Sequence, residues 1–271
     1  MKLSRVCCVL LFLVGGVAHA TPLYFNGFEV DTASWTGATR VPSGTNGVTS
    51  ADGSFHAVTG SGAYTLLGGY NYGAGGGVPT AFQEYYTSVD IFLDVDGGWA
   101  NDTRFDVDSA INNSAGNFLQ DFIFNAGFYN DATGPGAGTN RFIISASNNS
   151  SPGSAYPKNP GRDPIAIDTT GWYTFEHHFY ENGSGNLAVD MSIYDASNTL
   201  IHTWQLGNTT AIAGVGGNRY MWFPDQDFSA LAFDNSTLTL AAAPVPEPAT
   251  ITVLGMGLGA FALSRMRKRR G

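Results

Sequence analysis

Cysteine is almost absent from this chain. Of its 271 residues only Cys7 and Cys8 are cysteines, and both lie near the N-terminus. Residues 1–20 have the pattern of a secretory signal peptide, in which a basic start is followed by an apolar run and an Ala-His-Ala cleavage pattern. We expect this segment to be removed, which would leave a mature protein without cysteine. Such a protein can have no disulfide, no thiolate metal site and no cysteine nucleophile.

Basic residues are also scarce, with 13 Lys and Arg against 22 Asp and Glu. Two of the basic residues lie in the first 20 residues and five in residues 265–270, so only six remain for the rest of the chain. Phosphate binding needs clustered Lys and Arg, and this acidic composition therefore argues against nucleic acid as a partner. An acidic surface suits a soluble exported protein and the uptake of cations.

Catalytic motifs are missing as well. The sequence has no G-x-S-x-G elbow, no H-E-x-x-H pair and no P-loop. Nothing in the sequence argues for an enzyme, although a His/Tyr pair can serve a lyase. We therefore favour a non-catalytic protein and keep catalysis as an alternative.

Long helical periodicity is absent between residues 21 and 240. Short runs of alternating apolar and polar residues are separated there by clusters of Gly, Asn, Asp and Pro, a pattern typical of a sandwich or barrel. We predict one all-β domain over residues 21–240, a length that is ordinary for a single domain of this class. The predicted strands are residues 23–30, 63–67, 82–94, 104–108, 120–130, 141–147, 171–180, 186–194, 200–206 and 229–240.

The C-terminal residues 241–271 form a linker and then a tail in three parts. Pro246, Glu247 and Pro248 are followed by an apolar segment, residues 249–264, and by the basic residues 265–270. The apolar segment is slightly shorter than the ~20 residues that span a bilayer, a shortfall that local thinning and snorkelling basic side chains can compensate. We predict a single transmembrane helix with its basic end in the cytoplasm.

This tail resembles the PEP-CTERM sorting domain of Gram-negative bacteria that form biofilms. The resemblance implies that an exosortase, a membrane protease-transpeptidase, recognises the Pro-Glu-Pro motif and removes the tail. It also implies delivery to the cell envelope or the extracellular matrix. The alternative is an ordinary C-terminal membrane anchor.

The body of the chain carries two further resemblances. Residues 171–179 and 187–195 resemble the central hairpin of concanavalin A-like sandwiches. Residues 25–29 and 233–238 resemble the opening and closing strands of jelly-roll carbohydrate-binding modules. Both families are two-sheet antiparallel jelly-roll sandwiches, and we predict that fold here. The E-x-D-x-x-E strand of concanavalin A-like glucanases does not occur in this sequence.

One predicted strand, residues 172–180, offers a candidate sugar-binding face. Its alternation places Trp172, Glu176, His178 and Tyr180 on one side and His177, with aromatic residues, on the other. Aromatic rings pack on the apolar side of a pyranose while polar groups meet its hydroxyls. The alternative is that these aromatics fill the core and edges of a sandwich, and we expect His177 to be a core histidine. Three further tryptophans could extend the surface: Trp99, Trp204 and Trp222.

Two places could hold calcium. Asp94 and Asp96 open a D-x-D-G sequence of the kind found in calcium loops, but no Glu stands at the twelfth position, which is Phe105. An acidic, solvated turn is therefore the favoured interpretation there. The second place pairs Glu29 with Asp234, because the resemblance to carbohydrate-binding modules implies a structural calcium between the first and last strands. It would pin the two ends of the domain together.

The sequence alone leaves three possible functions. The favoured one is an exported polysaccharide-binding protein of the cell surface or matrix, sorted by an exosortase. The second is a structural matrix protein without a specific ligand, and the third is a polysaccharide hydrolase or lyase of the concanavalin A-like group.

Overall fold

The computed structural model describes residues 22–60, 66–67, 80–148, 157–224 and 227–241. The expected signal peptide, the Pro-Glu-Pro motif and the expected transmembrane segment lie outside these residues. Within them, every helix is too short or too polar to cross a membrane.

Fifteen strands make up nearly all the regular structure of the described residues. They are β1 (Pro22–Asn26), β2 (Trp35–Thr36), β3 (Ala38–Pro42), β4 (Phe55–Thr59), β5 (Leu66–Leu67), β6 (Tyr85–Leu93), β7 (Thr103–Asn113), β8 (Phe118–Tyr129), β9 (Arg141–Ser147), β10 (Ile165–Ile167), β11 (Gly171–Glu181), β12 (Asn186–Asp195), β13 (Leu200–Ala211), β14 (Val215–Trp222) and β15 (Ala232–Leu240). Single 3₁₀ turns occur at Thr45–Gly47, Pro160–Arg162 and Ile212–Gly214.

The strands form two antiparallel sheets. Among the described residues, the first sheet has eight strands in the order β13-β12-β11-β6-β15-β4-β3, with β1 also paired to β15. The second has seven, in the order β10-β9-β8-β7-β14-β5-β2. The chain crosses between the sheets several times, so neighbours in a sheet are often distant in sequence. The prediction of an all-β, two-sheet antiparallel sandwich of the jelly-roll class is confirmed.

The core lies between the sheets and follows the predicted alternation. Along β11, Tyr173, Phe175, His177 and Phe179 are buried while the intervening side chains are partly exposed. The predicted core face of β12 is also confirmed, because Leu187, Val189, Met191 and Ile193 are at most 1% exposed. Alternate side chains of a strand point to opposite sides of its sheet, so this core fixes which residues point outward.

Several strand bounds differ from the prediction. The first strand ends at Asn26 because its side-chain Oδ1 accepts a hydrogen bond from the Phe28 amide (2.7 Å) and Phe28 adopts a positive φ of 57°. β7 continues to Asn113, well past the predicted end at residue 108. The short strands β3, β4 and β10 and the glycine-containing β14 were not predicted. β14 has two consecutive glycines, which weaken the local strand signal, and its pairing with β7 compensates for them.

Arg141 organises the turn between β8 and β9. Its side chain is fully buried and donates to the backbone carbonyls of Asp131 (3.1 Å), Thr133 (2.7 Å), Pro135 (2.7 Å) and Thr139 (2.8 Å). It also forms an ion pair with the Asp131 carboxylate at 3.2 Å. The guanidinium thus donates to four carbonyls of the turn, of which that of Asp131 also accepts from the Gly138 amide (2.8 Å).

We expect Arg141→Leu to lower the free energy of unfolding by about 3 kcal/mol, because four carbonyls of the turn each lose a hydrogen bond to a fully buried guanidinium. Urea denaturation measures the change. Arg104→Leu is the matched control, since its ion pair with Asp102 (2.7 Å) is partly exposed and such pairs contribute about 1 kcal/mol or less. Equal losses in the two variants would contradict the role assigned to Arg141.

Candidate functional site

The predicted sugar-binding strand, β11, lies between β6 and β12 in the first sheet. His178 is paired with Tyr86 on one side and with Asp190 on the other. Residues paired in this way carry their side chains on the same side of the sheet. The outward side chains of three strands therefore form one surface, which we call the aromatic face: Tyr86, Glu176, His178, Tyr180 and Asp190.

Three rings are stacked on the aromatic face. The His178 ring is parallel to that of Tyr86, with centroids 4.1 Å apart, and nearly parallel to that of Tyr180 at 4.7 Å. The Nε2 atom of His178 lies 2.7 Å from the Glu84 carboxylate. The stack leaves one ring face of each tyrosine turned away from the histidine, and those faces are flat apolar surfaces beside polar groups.

Polar groups border the stack. The Tyr180 hydroxyl donates to Asp190 (3.2 Å) and accepts a hydrogen bond from the Gln205 side-chain amide (2.7 Å). The Tyr194 hydroxyl donates to Glu176 (3.3 Å), and burial raises the pKa of that carboxyl group. Hydroxyl, amide and carboxylate groups are thus held in fixed positions next to aromatic rings.

Trp172 does not belong to this cluster. It lies eight positions before Tyr180 on an extended strand, roughly 27 Å away. Its indole N–H donates to the Thr49 carbonyl (2.7 Å), and its ring meets Phe92 edge-on at 5.4 Å. Of the predicted set, the structure brings together Glu176, His178 and Tyr180 and places Trp172 at the other end of the strand.

The other tryptophans do not extend the aromatic face. Trp204 is 6% exposed and belongs to the core cluster, and Trp99 packs edge-on against the core residue Phe228 at 4.8 Å. Trp222 ends β14 in the second sheet. The expectation that they enlarge the sugar-binding surface is therefore wrong, because each is placed by its own strand or loop elsewhere in the sandwich.

A second polar cluster, which the sequence analysis did not single out, lies on the side of the second sheet that points away from the aromatic core, and its polar side chains are buried. It contains Asp106 and Asp108 on β7, Asp121 and Asn125 on β8, and Trp222 on β14, and we call it the carboxyl face. Its polar members are between 0 and 8% exposed. The sequence shows polar residues alternating with Phe122 and Phe124 in β8. No feature of the local sequence indicates that β7 pairs with β8, which is what brings these polar residues together.

Hydrogen bonds join the carboxyl face across strands. The Asn125 amide donates to Asp106 (2.9 Å), the Tyr220 hydroxyl to Asp121 (3.4 Å) and the Trp222 indole to Asp108. Burial, and next to it the negative charge of Asp121, raise the pKa of Asp108 well above its usual value. Carboxyl groups this deeply buried are found mainly where they are paired or serve a function.

Glu29 and Asp234, the predicted calcium pair, hold the same loop. Asp234 accepts hydrogen bonds from the amides of residues 51 and 52 (3.1 and 3.4 Å), and Glu29 from those of residues 54 and 55 (both 2.9 Å). A Cβ atom at the intervening Gly53, whose φ is +61°, would collide with the Glu29 carboxylate. Residues near the two ends of the domain thus both bind the loop of residues 51–55.

Neither calcium expectation gains a ligand set from the described residues. They contain no group of three or more His, Asp or Glu side chains that could hold a metal ion. At Glu29 and Asp234, backbone N–H groups already point at the oxygens that a cation would need. In the D-x-D-G sequence, the side chain of Asp94 accepts a hydrogen bond from the amide of Asp96 (3.1 Å), as is typical of a turn. Calcium binding stays a prediction.

His177 is fully buried, as expected of a core histidine. Its Nε2 atom donates to the Phe122 carbonyl at 3.0 Å. Burial lowers the pKa of His177 to about 3, so the ring is neutral at physiological pH. It is therefore a structural residue, separate from His178 on the opposite side of the strand.

The comparison that decides the destination of the chain concerns its C-terminus. Residues 244–270 match the model of the PEP-CTERM protein-sorting motif. The chain carries a PEP-CTERM sorting tail. This tail indicates export across the inner membrane to the cell envelope or the extracellular space, and it implies processing by an exosortase. The predicted motif Pro246, Glu247 and Pro248 lies inside the matched segment.

Comparisons of the body are weaker. No curated protein is significantly similar in sequence to this chain. Among solved structures, a PL-14 alginate lyase from Aplysia kurodai has a TM-score of 0.46 at 8% identity, covering 82% of this chain and 100% of its own. The CBM2 module of the evolved Dit of Lactobacillus casei BL23 phage J-1 has a TM-score of 0.45 at 12% identity, covering 83% and 97%. Likeness at this level assigns no function.

The buried carboxyl group of Asp234 predicts an unusual pH dependence. Burial, with a smaller contribution from the charge of Asp90, raises its pKa to about 7. The folded state therefore holds this proton more tightly than the unfolded state does. The resulting stability is fully present below about pH 4 and is lost as the pH rises through 7.

We expect Asp234→Asn to abolish this contribution, so that the free energy of unfolding falls less between pH 4 and pH 8 than in the unmodified protein. Denaturation at a series of pH values, with a chelator present, gives the slope. Asp96→Asn is the control because Asp96 is exposed. An unchanged slope in Asp234→Asn would show that another group is responsible.

Added calcium tests the metal sites in the same assay. A bound ion raises the melting temperature with its concentration. A rise that Asp234→Asn removes would support the terminal site, and one removed only by Asp96→Asn would place the ion at the turn. No rise at millimolar calcium would contradict both expectations.

Proposed function

We propose that this is an exported protein of the cell envelope or extracellular matrix whose β-sandwich binds polysaccharide without cleaving it. The sorting tail supports the destination. The observation that carries the binding function is the aromatic face, where Tyr86, His178 and Tyr180 stack beside hydrogen-bonding side chains on the outer side of a sheet. Polysaccharide recognition needs this combination, since a pyranose has both apolar faces and hydroxyl groups.

The aromatic face is preorganised for binding. Tyr180 is fixed by hydrogen bonds to Asp190 and Gln205, and His178 by its contact with Glu84. Side chains that are already held lose little rotamer entropy when a ligand arrives. A sheet surface of this kind suits an extended polysaccharide chain, which can follow the strands over several sugar units.

We expect Tyr180→Ala to weaken polysaccharide binding about tenfold, equivalent to about 1.4 kcal/mol, through loss of a packed ring and its hydroxyl. Because Trp172 lies roughly 27 Å from Tyr180, Trp172→Ala should weaken the binding only of ligands long enough to reach both residues. Glycan-array screening followed by calorimetry on the hits measures both effects.

Phe118→Ala is the control for these variants, since Phe118 is an exposed aromatic residue (43%) on the second sheet. Binding that is unchanged in Tyr180→Ala would remove the aromatic face from the proposal. If no glycan bound, the protein would be a structural matrix component. Release of reducing ends or unsaturated sugars from any polysaccharide would show that it is an enzyme.

Processing is tested on the protein from its native host. We expect an intact mass that lacks residues 1–20 and also lacks the apolar and basic segments after Pro248. Replacing Glu247 by Ala should leave those segments attached, because the sorting motif is changed. Replacing the nearby Thr250 by Ala is the control. A mass that retains the tail in the unmodified protein would indicate a permanent membrane anchor.

A further inference from the structure

β13 lies at one edge of the first sheet, where β12 is the one described strand that pairs with it. It has 12 residues, and residues 202–207 pair with β12 in an unbroken register. The side of an edge strand that faces away from its sheet presents a row of backbone N–H and C=O groups, which another strand can pair with. The long edge of β13 is therefore a possible interaction surface.

The other sheet edges of the described residues are short. β1 and β3 have five residues each, β10 has three and β2 has two. Proline limits three of these strands, because Pro22 begins β1, Pro42 ends β3 and Pro164 precedes β10. Short strands and proline are two means by which natural proteins prevent pairing at a sheet edge, and β13 has neither.

β13 also lacks the charged side chains that discourage pairing. Its sequence, Leu200–Ala211, contains no Asp, Glu, Lys or Arg, although the net charge of the chain is −9. Leu200 and Ile201, at its start, are 52% and 40% exposed. Two copies of an acidic protein repel each other least where their surfaces carry no charge. The composition of β13 therefore favours a second copy of this chain as the partner.

Solvent reaches β13 in the described structure. Thr203 and Gln205 are exposed, and residues 203–206 line a cavity of about 570 Å³ together with Asn159 and Arg162. The carbonyls of residues 162 and 163 contact a side chain of the strand, since both accept a hydrogen bond from the Trp204 indole (3.0 and 2.9 Å). A second strand can thus approach the backbone of β13.

We propose that β13 is a self-association surface, at which two copies of the protein pair their β13 strands antiparallel and join their first sheets into one. The pairing is isologous, with a two-fold axis perpendicular to the sheet, so the assembly closes at a dimer. Such an axis keeps the outer sides of both sheets on the same side, and the two aromatic faces then lie on one surface. A long polysaccharide can contact both faces, which raises its apparent affinity.

Sedimentation of the exported protein, purified from its native host at a series of concentrations, measures the association. We expect a monomer–dimer equilibrium whose dissociation constant rises about tenfold in Ile201→Lys, because pairing then brings like charges together at the strand edge. Val30→Lys is the matched control, since Val30 is an exposed aliphatic residue (86%) outside the strands and the charge change is the same. A protein that is monomeric throughout, or equal association in the two variants, would overturn the proposal.

Cysteine cross-linking tests the geometry of the dimer. We expect the exported protein to lack cysteine, so each variant of a scan over residues 201–205 has a single thiol. In a two-fold antiparallel pair one residue lies opposite itself, with Cα atoms about 4.5–5.5 Å apart, a distance that a disulfide spans. We expect oxidation to link the dimer most efficiently at one position, such as Thr203→Cys. Thr39→Cys, on the edge strand β3, is the control, and equal cross-linking there would contradict the pairing.

Hydrogen exchange distinguishes a second copy from other occupants of the edge. The amides of β13 should gain protection as the protein concentration rises. Protection at every concentration in a monomer would mean that a segment of the same chain covers β13, and would overturn the proposal.

Sugar binding is measured separately, because self-association does not rest on the proposed function. Ile201→Lys should keep its affinity for a short oligosaccharide but bind an immobilised polysaccharide less tightly than Val30→Lys does. Equal binding of the immobilised polysaccharide would contradict the shared surface of two aromatic faces. A dimer that binds no sugar would support self-association while the proposed function fails.

Discussion

The layer of phenylalanine rings between the two sheets is the interaction on which the rest of the sandwich depends. Phe122 and Phe124 of the second sheet meet Phe179 and Phe175 of the first edge-to-face, with centroids 5.5 and 5.2 Å apart and planes near 85°. Each such pair stabilises the fold by about 0.5–1.5 kcal/mol beyond the contribution of its buried apolar area. With no cysteine in the described residues, this packed layer takes the place that disulfides have in many exported domains.

The same layer determines which side chains lie on the outer side of each sheet. A strand whose alternate side chains enter the core must present the side chains between them on the outside. A register shift of one residue would exchange the two sets. Phe175 and Phe179 therefore fix Glu176, His178 and Tyr180 on the outer side of the first sheet. Phe122 and Phe124 likewise place Asp121 and Asn125 on the outer side of the second.

Sequence patterns predicted what depends on one strand and missed what depends on pairing. The alternation of β11 placed Glu176, His178 and Tyr180 on one side correctly, because side-chain direction is a local property. It gave no distance, so Trp172 was grouped with residues at the far end of the strand. The carboxyl face was missed since Asp108 and Asp121 become neighbours only through the pairing of β7 with β8, which no local signal specifies.

The two faces differ in how their polar groups are satisfied, and this difference suggests distinct roles. On the aromatic face, Tyr180, Asp190 and Gln205 hydrogen-bond one another, so a ligand gains mainly from packing against rings. On the carboxyl face, the polar side chains are at most 8% exposed, and their hydrogen bonds run between neighbouring strands, as from Asn125 to Asp106 and from Tyr220 to Asp121. They therefore stabilise the second sheet, whereas the partly exposed rings and polar groups of the aromatic face can meet a ligand.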